Sequence, residues 1–104
     1  MAKTSDALKI IDGITGKSTK ARRLLAKARL NAQVAQMIYD ARTQAGITQK
    51  ELATLVGTTQ SVIARLEDAD YEGHSLSMLH RIAAALHRPL NIRMGRPRRR
   101  LQLA

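Results

Sequence analysis

Apolar and polar residues recur with a helical period along most of this 104-residue chain. Residues 20–45 are good helix formers without glycine or proline, which predicts one long helix or two abutting helices. Residues 31–45 are amphipathic, because at about 100° per residue five apolar side chains share one arc. These side chains are Val34, Met37, Ile38, Ala41 and Ala45. We therefore expect a helix that buries one face and ends at Gly46.

Three shorter helices are predicted next, each starting from a polar residue. Thr48 and Glu51 have the spacing of a capping box, in which two backbone donors are satisfied reciprocally. Thr59 and Ser75 precede two further apolar runs as N-caps, and Pro89 is expected to end the last helix. The side chains predicted to face inward are Leu52, Ala53, Leu55, Val56, Val62, Ile63, Leu66, Leu76, Met78, Leu79, Ile82, Ala83 and Leu86.

A weaker pattern predicts a first short helix over residues 7–12, stopped by Gly13. With it, the chain is expected to form an all-α bundle of about five helices. The predicted organisation is a basic N-terminal helical arm (1–30), a helix-turn-helix domain (31–88), a C-terminal strand (89–95) and a basic tail (96–104).

Residues 90–94 alternate apolar and polar side chains, which is the period of a half-buried strand. A single short strand needs a partner, and no second strand is evident in the chain. We therefore expect Leu90, Ile92 and Met94 to pair with the same segment of a second subunit in a homodimer. The alternative is an extended segment that lies across the helices.

Charge is distributed unevenly over a chain whose formal net charge is +10. Residues 1–30 carry eight Lys or Arg against two Asp, and residues 75–104 carry seven Arg and no acid, whereas residues 31–74 are net acidic. Clustered Lys and Arg favour a polyanionic partner, because binding releases counterions from phosphates. Nucleic acid is the first candidate and an anionic membrane surface the second; the alternative is a pair of solvated tails.

Composition excludes several functional classes. The chain has no Cys, so a disulfide scaffold, Cys-ligated zinc and thiol chemistry are excluded, and a cytoplasmic location is expected. No apolar run approaches the roughly 18 residues of a membrane span. His74, His80 and His87 lack metal-ligand spacing, and no catalytic constellation stands out. We expect no enzyme activity, metal, cofactor or small-molecule substrate.

The two central helices, joined at a tight turn, have the spacing of a helix-turn-helix. Ala53 is small where the helices cross, and Gly57 has the backbone freedom that the turn demands. Ile63 and Leu66 anchor the second helix. Its opposite, polar face then projects as a rigid reader for a DNA major groove.

Residues 49–67, with the sequence QKELATLVGTTQSVIARLE, resemble the Xre or phage-repressor class of helix-turn-helix proteins, which implies a lambda-repressor-like bundle. Thr58 departs from the class, which more often has an aliphatic residue there. The segments 30–35, 38–43 and 67–76 extend the resemblance to small antitoxins of the HigA kind. With the closing strand it covers roughly residues 6–95.

The resemblance implies roles for individual residues. Gln60, Ser61 and Arg65 match base-reading positions, since Gln pairs with adenine and Arg with guanine in the major groove. The positions that match phosphate contacts are Thr48, Gln49 and Thr59, with Lys50 as a further candidate. The alternatives are a solvated helix start for Gln60 and Ser61, and an ion pair with Asp68 for Arg65.

The resemblance also implies partners. Members of this antitoxin group bind palindromic double-stranded DNA as dimers, repress their own operon and neutralise a small basic RelE/HigB-like ribonuclease toxin. The acidic loop of Asp68, Asp70 and Glu72 would be repelled by DNA but would suit such a toxin. The basic residues 17–29 suit a second DNA arm as well as a toxin clamp. The alternatives are a stand-alone Xre-type regulator and an interaction protein whose basic arms bind RNA or protein.

Overall fold

The computed structural model describes residues 19–99. Within this range it contains four helices, α1 (Thr19–Gln44), α2 (Gln49–Val56), α3 (Gln60–Leu66) and α4 (Leu76–Ala85), and no strand. The all-α class is confirmed, and the stretch predicted as one helix or two forms one helix that ends at Gln44. The helix predicted over residues 7–12 lies outside the described residues, so a count of five helices is not supported.

Local polar contacts start the three short helices where the sequence predicts. The Thr48 hydroxyl accepts a hydrogen bond from the Glu51 amide at 3.0 Å, and the Glu51 carboxylate accepts one from the Thr48 amide at 2.9 Å. These bonds favour the ionised carboxylate and hold the pKa of Glu51 below its ordinary value. Thr59 and Ser75 cap α3 and α4 through their hydroxyls. All three predicted N-caps are confirmed.

The core lies where α1, α2, α3 and α4 meet. Ile38, Leu52 and Ile63 are fully buried at its centre. The other buried members are Ala53, Val56, Leu66, Leu79 and Ile82. Aliphatic side chains from all four helices therefore form this core, as the near-absence of aromatic residues requires.

Four of the predicted inward-facing residues are exposed. Leu55 is 59% and Leu76 66% exposed, and Met37 and Ala45 also face outward. Leu55 lies outside the narrow arc of α2 that contacts the core, which contains Leu52, Ala53 and Val56. The predicted arcs were too wide, because a helix of two turns touches its neighbours along a strip narrower than half its circumference.

The end of α4 differs from the prediction. The helix stops at Ala85, four residues before Pro89. The His87 amide donates to the Ala84 carbonyl at 3.1 Å and the Arg88 amide to the Ala83 carbonyl at 2.9 Å, which is the Schellman pattern. His87 has a φ of 54°, in the left-handed region that favours glycine. Backbone capping, rather than the proline, therefore ends this helix.

We expect His87→Gly to raise the free energy of unfolding by about 0.5 to 1 kcal/mol, because glycine removes the left-handed strain but adds entropy to the unfolded chain. Urea unfolding followed by circular dichroism measures the change. His87→Ala is the control and should bring no gain, since alanine keeps a β-carbon. A stability unchanged by glycine would mean that the strain at His87 is no larger than the entropy cost of glycine.

The predicted strand over residues 90–94 is absent from the single chain described. The segment has no regular secondary structure. Leu90 packs against the core, whereas Ile92 is largely exposed and Met94 is 99% exposed. A strand exists only with a backbone partner, and residues 19–99 contain none for this segment. Only the start of the segment, at Leu90, therefore lies against the helices.

Candidate nucleic-acid interface

A tight turn joins α2 to α3. Gly57 has a φ of 84°, and its amide and that of Thr58 both donate to the Ala53 carbonyl at 2.9 Å. From α4, Arg81 donates to the Val56 carbonyl at 2.8 Å and satisfies the end of α2. These contacts hold the turn from both sides, and Thr58 does not disturb it.

Helix α3 presents two different faces. Ile63 and Leu66 are buried in the core, and Val62 is partly buried against it. A helix of seven residues is not stable alone, so this packing determines both its helicity and its orientation. Its other face contains no acid and is open to solvent; it consists of Gln60, Ser61, Ala64 and Arg65.

The structure places all three predicted base-reading side chains on this exposed face. Gln60 and Arg65 are exposed, and the Ser61 hydroxyl lies 3.2 Å from that of Thr59. The alternative ion pair of Arg65 with Asp68 is not formed within residues 19–99. The Asp68 carboxylate instead accepts the Asp70 amide at 2.8 Å. Arg65 is therefore available to a partner.

The predicted phosphate-contacting residues lie at two helix starts. Thr48 begins α2 and Thr59 begins α3, each with its hydroxyl occupied as a cap. Lys50 is exposed. Gln49 differs from the expectation, because its half-buried side-chain amide donates to Glu67 at 3.1 Å. The Gln49 side chain is thus engaged within the protein.

A partly buried ion pair that we did not predict holds α3 in place. The Arg42 guanidinium donates two hydrogen bonds to the Glu67 carboxylate, at 2.6 and 3.0 Å, and a third to the Ile47 carbonyl at 2.8 Å. The side chains are only 11% and 4% exposed. We call Arg42, Glu67 and Gln49 the clamp; it joins the last turn of α1, the start of α2 and the end of α3.

The clamp raises the pKa of Arg42, and the sequence indicates the clamp only weakly. The hydrogen bond between Arg42 and Glu67 is the main cause of the raised pKa. In the sequence, Arg42 and Glu67 each follow a buried isoleucine by four residues, Ile38 and Ile63. Each charge therefore lies beside the apolar side of its helix, but this spacing does not identify its partner.

The loop after α3 exposes acidic side chains to solvent and packs other side chains against the protein. Asp68, Asp70 and Glu72 are exposed. Tyr71 packs against the core, and the rings of Tyr71 and His74 meet edge to face at 5.1 Å. His74 donates through Nε2 to the carbonyl that ends α3, at 2.7 Å. The loop is thus a supported structure that presents three carboxylates.

A groove of about 490 Å³ lies between α1, α4 and the segment after α4. Its lining is mainly apolar and includes Met37, Leu79 and Leu90. Two further lining residues are joined by a hydrogen bond, which Arg88 donates to the Gln44 side chain at 3.1 Å. The groove is separate from the exposed face of α3, which is made of other residues.

The described residues offer neither a metal site nor a membrane span. Residues 19–99 contain no group of three or more His, Cys, Asp or Glu that could hold a metal ion. No helix in this range is both long enough and apolar enough to cross a membrane.

Comparison with known proteins places this geometry in a family. The helix-turn-helix family model HTH_3 matches residues 38–92, which span α2, the turn, α3 and α4. An uncharacterized HTH-type transcriptional regulator from Methanothermobacter thermautotrophicus is 46% identical over 52 residues, covering 50% of this chain and 74% of that protein. No solved structure matches the chain. The chain belongs to the helix-turn-helix family, a family of DNA-binding transcriptional regulators.

Proposed function

We propose that the protein is a sequence-specific DNA-binding repressor that reads a palindromic operator with α3. One observation carries this proposal: the exposed face of α3 contains Gln60, Ser61 and Arg65 and no acid, while its other face is anchored in the core. A reader of base edges must be rigid, exposed and free of negative charge, because phosphates surround the groove.

The chemistry of each side chain assigns its role in the proposal. Gln60 donates to N7 and accepts from N6 of adenine, Arg65 donates twice to guanine, and Ser61 bonds to either base. Lys50 and the helix starts at Thr48 and Thr59 contact phosphates. Gln49 contributes its backbone amide, since its side chain is engaged with Glu67.

We expect Arg65→Ala to weaken binding to one specific base pair by about 1 to 3 kcal/mol and to relax specificity there. The operator is first selected from random duplexes, and affinities for every single-base variant are then measured by fluorescence anisotropy. Lys50→Ala is the control, because loss of a phosphate contact weakens binding to all sequences alike. A uniform loss for Arg65→Ala would make Arg65 a phosphate contact, and no loss would remove it from the interface.

The proposed repressor is a homodimer that pairs through the segment of Leu90, Ile92 and Met94. Ile92 and Met94 are exposed apolar side chains in a segment without regular secondary structure. They follow Leu90 in the chain, which lines the apolar groove together with Met37. Exposed apolar side chains gain free energy when a second copy covers them. Light scattering after size exclusion should give a dimer for the full chain and a monomer for Ile92→Asp/Met94→Asp. A variant that remains dimeric would contradict this interface.

We further propose that the repressor is the antitoxin of a RelE/HigB-like ribonuclease toxin. The supported acidic loop suits a basic protein rather than DNA. Purification from the host with DNase present should recover a small basic protein in fixed stoichiometry, whose ribonuclease activity the added chain inhibits. Operator binding without such a protein would leave a stand-alone Xre-type regulator, the alternative function.

A further inference from the structure

The first three turns of α1 carry a stripe of positive charge. Lys20, Arg23 and Lys27 are all exposed. At about 100° per residue they fall within an arc of roughly 60°, and the buried Ala21 and Leu25 lie on the other side of the helix. We call these three cations the α1 stripe. It is about 10 Å long, since a helix rises about 1.5 Å per residue.

The charge of this stripe is unbalanced within the helix. No acidic residue of α1 lies near the stripe, because the first acid of this helix is Asp40. The first turn contains no acid, although the positive end of a helix dipole favours one there. This arrangement works against the stability of the isolated helix. An external polyanion would relieve the repulsion, and the free energy of that relief would appear as binding.

The stripe suits a phosphate backbone better than a membrane surface. A helix that lies on a bilayer needs one continuous apolar face. The exposed apolar side chains here, Leu24 and Leu30, lie about 120° apart on the two sides of the stripe. A DNA duplex, in contrast, presents about six phosphate charges over 10 Å of its axis.

The stripe is distant from the reading helix. Lys27 and Lys20 precede Arg42 of the clamp by 15 and 22 residues of continuous helix, which is roughly 22 to 33 Å along α1. One turn of B-DNA is about 34 Å long. The stripe therefore reaches past the base pairs that a helix next to the clamp can read.

We propose that the α1 stripe binds the phosphates of duplex DNA that flanks the half-site read by α3. This inference rests on the proposed DNA-binding function. Lys20, Arg23 and Lys27 supply affinity that depends on salt and not on sequence, whereas α3 supplies the specificity.

The test compares the wild-type chain with Lys20→Gln/Arg23→Gln/Lys27→Gln, since glutamine keeps the helix propensity and removes the charge. Binding is measured between 50 and 200 mM salt on the selected operator, with and without about ten flanking base pairs on each side. The control, Arg96→Gln/Arg98→Gln/Arg99→Gln, removes the same charge from the exposed residues that follow the proposed dimer segment.

On the flanked operator, raising the salt from 50 to 200 mM should lower the affinity of the wild-type chain about 40-fold more than that of the stripe variant, counted for one protomer. The reason is that the loss of three phosphate contacts changes the slope of log affinity against log salt by about 2.7. On the unflanked operator the two proteins should bind alike, and the ratio of operator to scrambled affinity should be unchanged. The control variant should still bind the flanked operator more tightly than the unflanked one.

Equal salt slopes on the flanked operator would overturn the proposal, as would equal losses in the stripe and control variants. A stripe variant that keeps the wild-type salt slope on DNA but no longer binds phosphatidylserine vesicles would assign the stripe to membranes. That result would also overturn the proposal. Failure of the proposed function looks different: the wild-type chain would then bind operator and scrambled duplexes equally, with or without flanks.

Discussion

Arg42→Ala should lower the free energy of unfolding by about 3 kcal/mol. The change leaves the Glu67 carboxylate, 4% exposed, without its ionic partner, and it removes the bond to the Ile47 carbonyl. Breaking a buried pair by removing one partner is costly, because the remaining charge stays desolvated. Chemical unfolding in urea, followed by circular dichroism, measures this loss.

Arg23→Ala is the matched control, since it removes an exposed arginine from the same helix and should cost less than about 0.5 kcal/mol. The double variant Arg42→Met/Glu67→Leu should recover much of the loss, because it removes both charges and keeps apolar volume. A loss below about 1 kcal/mol for Arg42→Ala would show that the clamp does not stabilise the fold.

The clamp also connects stability to the proposed function. It ties the end of α3 to the last turn of α1, and α3 is too short to hold its own conformation. Arg42→Ala should therefore weaken operator binding in the fraction that remains folded, although Arg42 is itself remote from the reading face. The loss should be spread over all the base pairs that α3 reads in the operator, unlike the loss at one position for Arg65→Ala.

Leu52→Ala should destabilise the protein by about 2 to 5 kcal/mol, because it empties a fully buried position between α2, α3 and α4. Leu55→Ala, in the same helix three residues later, should change stability by less than about 0.5 kcal/mol, since Leu55 is mostly exposed. The pair is matched in residue type, helix and substitution, so the comparison isolates burial.

Urea unfolding of the two variants decides between two orientations of α2. The apolar pattern alone placed both leucines inward, whereas the structure buries only Leu52. Equal losses for the two variants would contradict the observed packing and would favour the broader predicted face.

Local chemistry explains why the helix starts were predictable. Thr48 and Glu51 are three residues apart, and their two hydrogen bonds form within one turn. The same holds for the caps at Thr59 and Ser75 and for the turn at Gly57, where the φ of 84° suits glycine. Interactions this short in sequence do not depend on the rest of the fold.

The exposed polar face of α3 was predictable for a related reason. Ile63 and Leu66 fall on one side of a 3.6-residue period, so Gln60 and Arg65 had to lie on the other. The same period failed for Leu55 and Leu76, because it locates an apolar side without stating how much of that side a neighbouring helix covers.

The sequence by itself determined the helical class, the caps, the turn and the face of α3, because each depends on residues within about one helical turn. The tertiary structure alone decided that Arg42 pairs with Glu67, that Gln49 turns inward and that Leu55 stays outside. Arg42 and Glu67 are 25 positions apart. Such contacts follow from the packing of whole helices, which no local pattern of residues encodes.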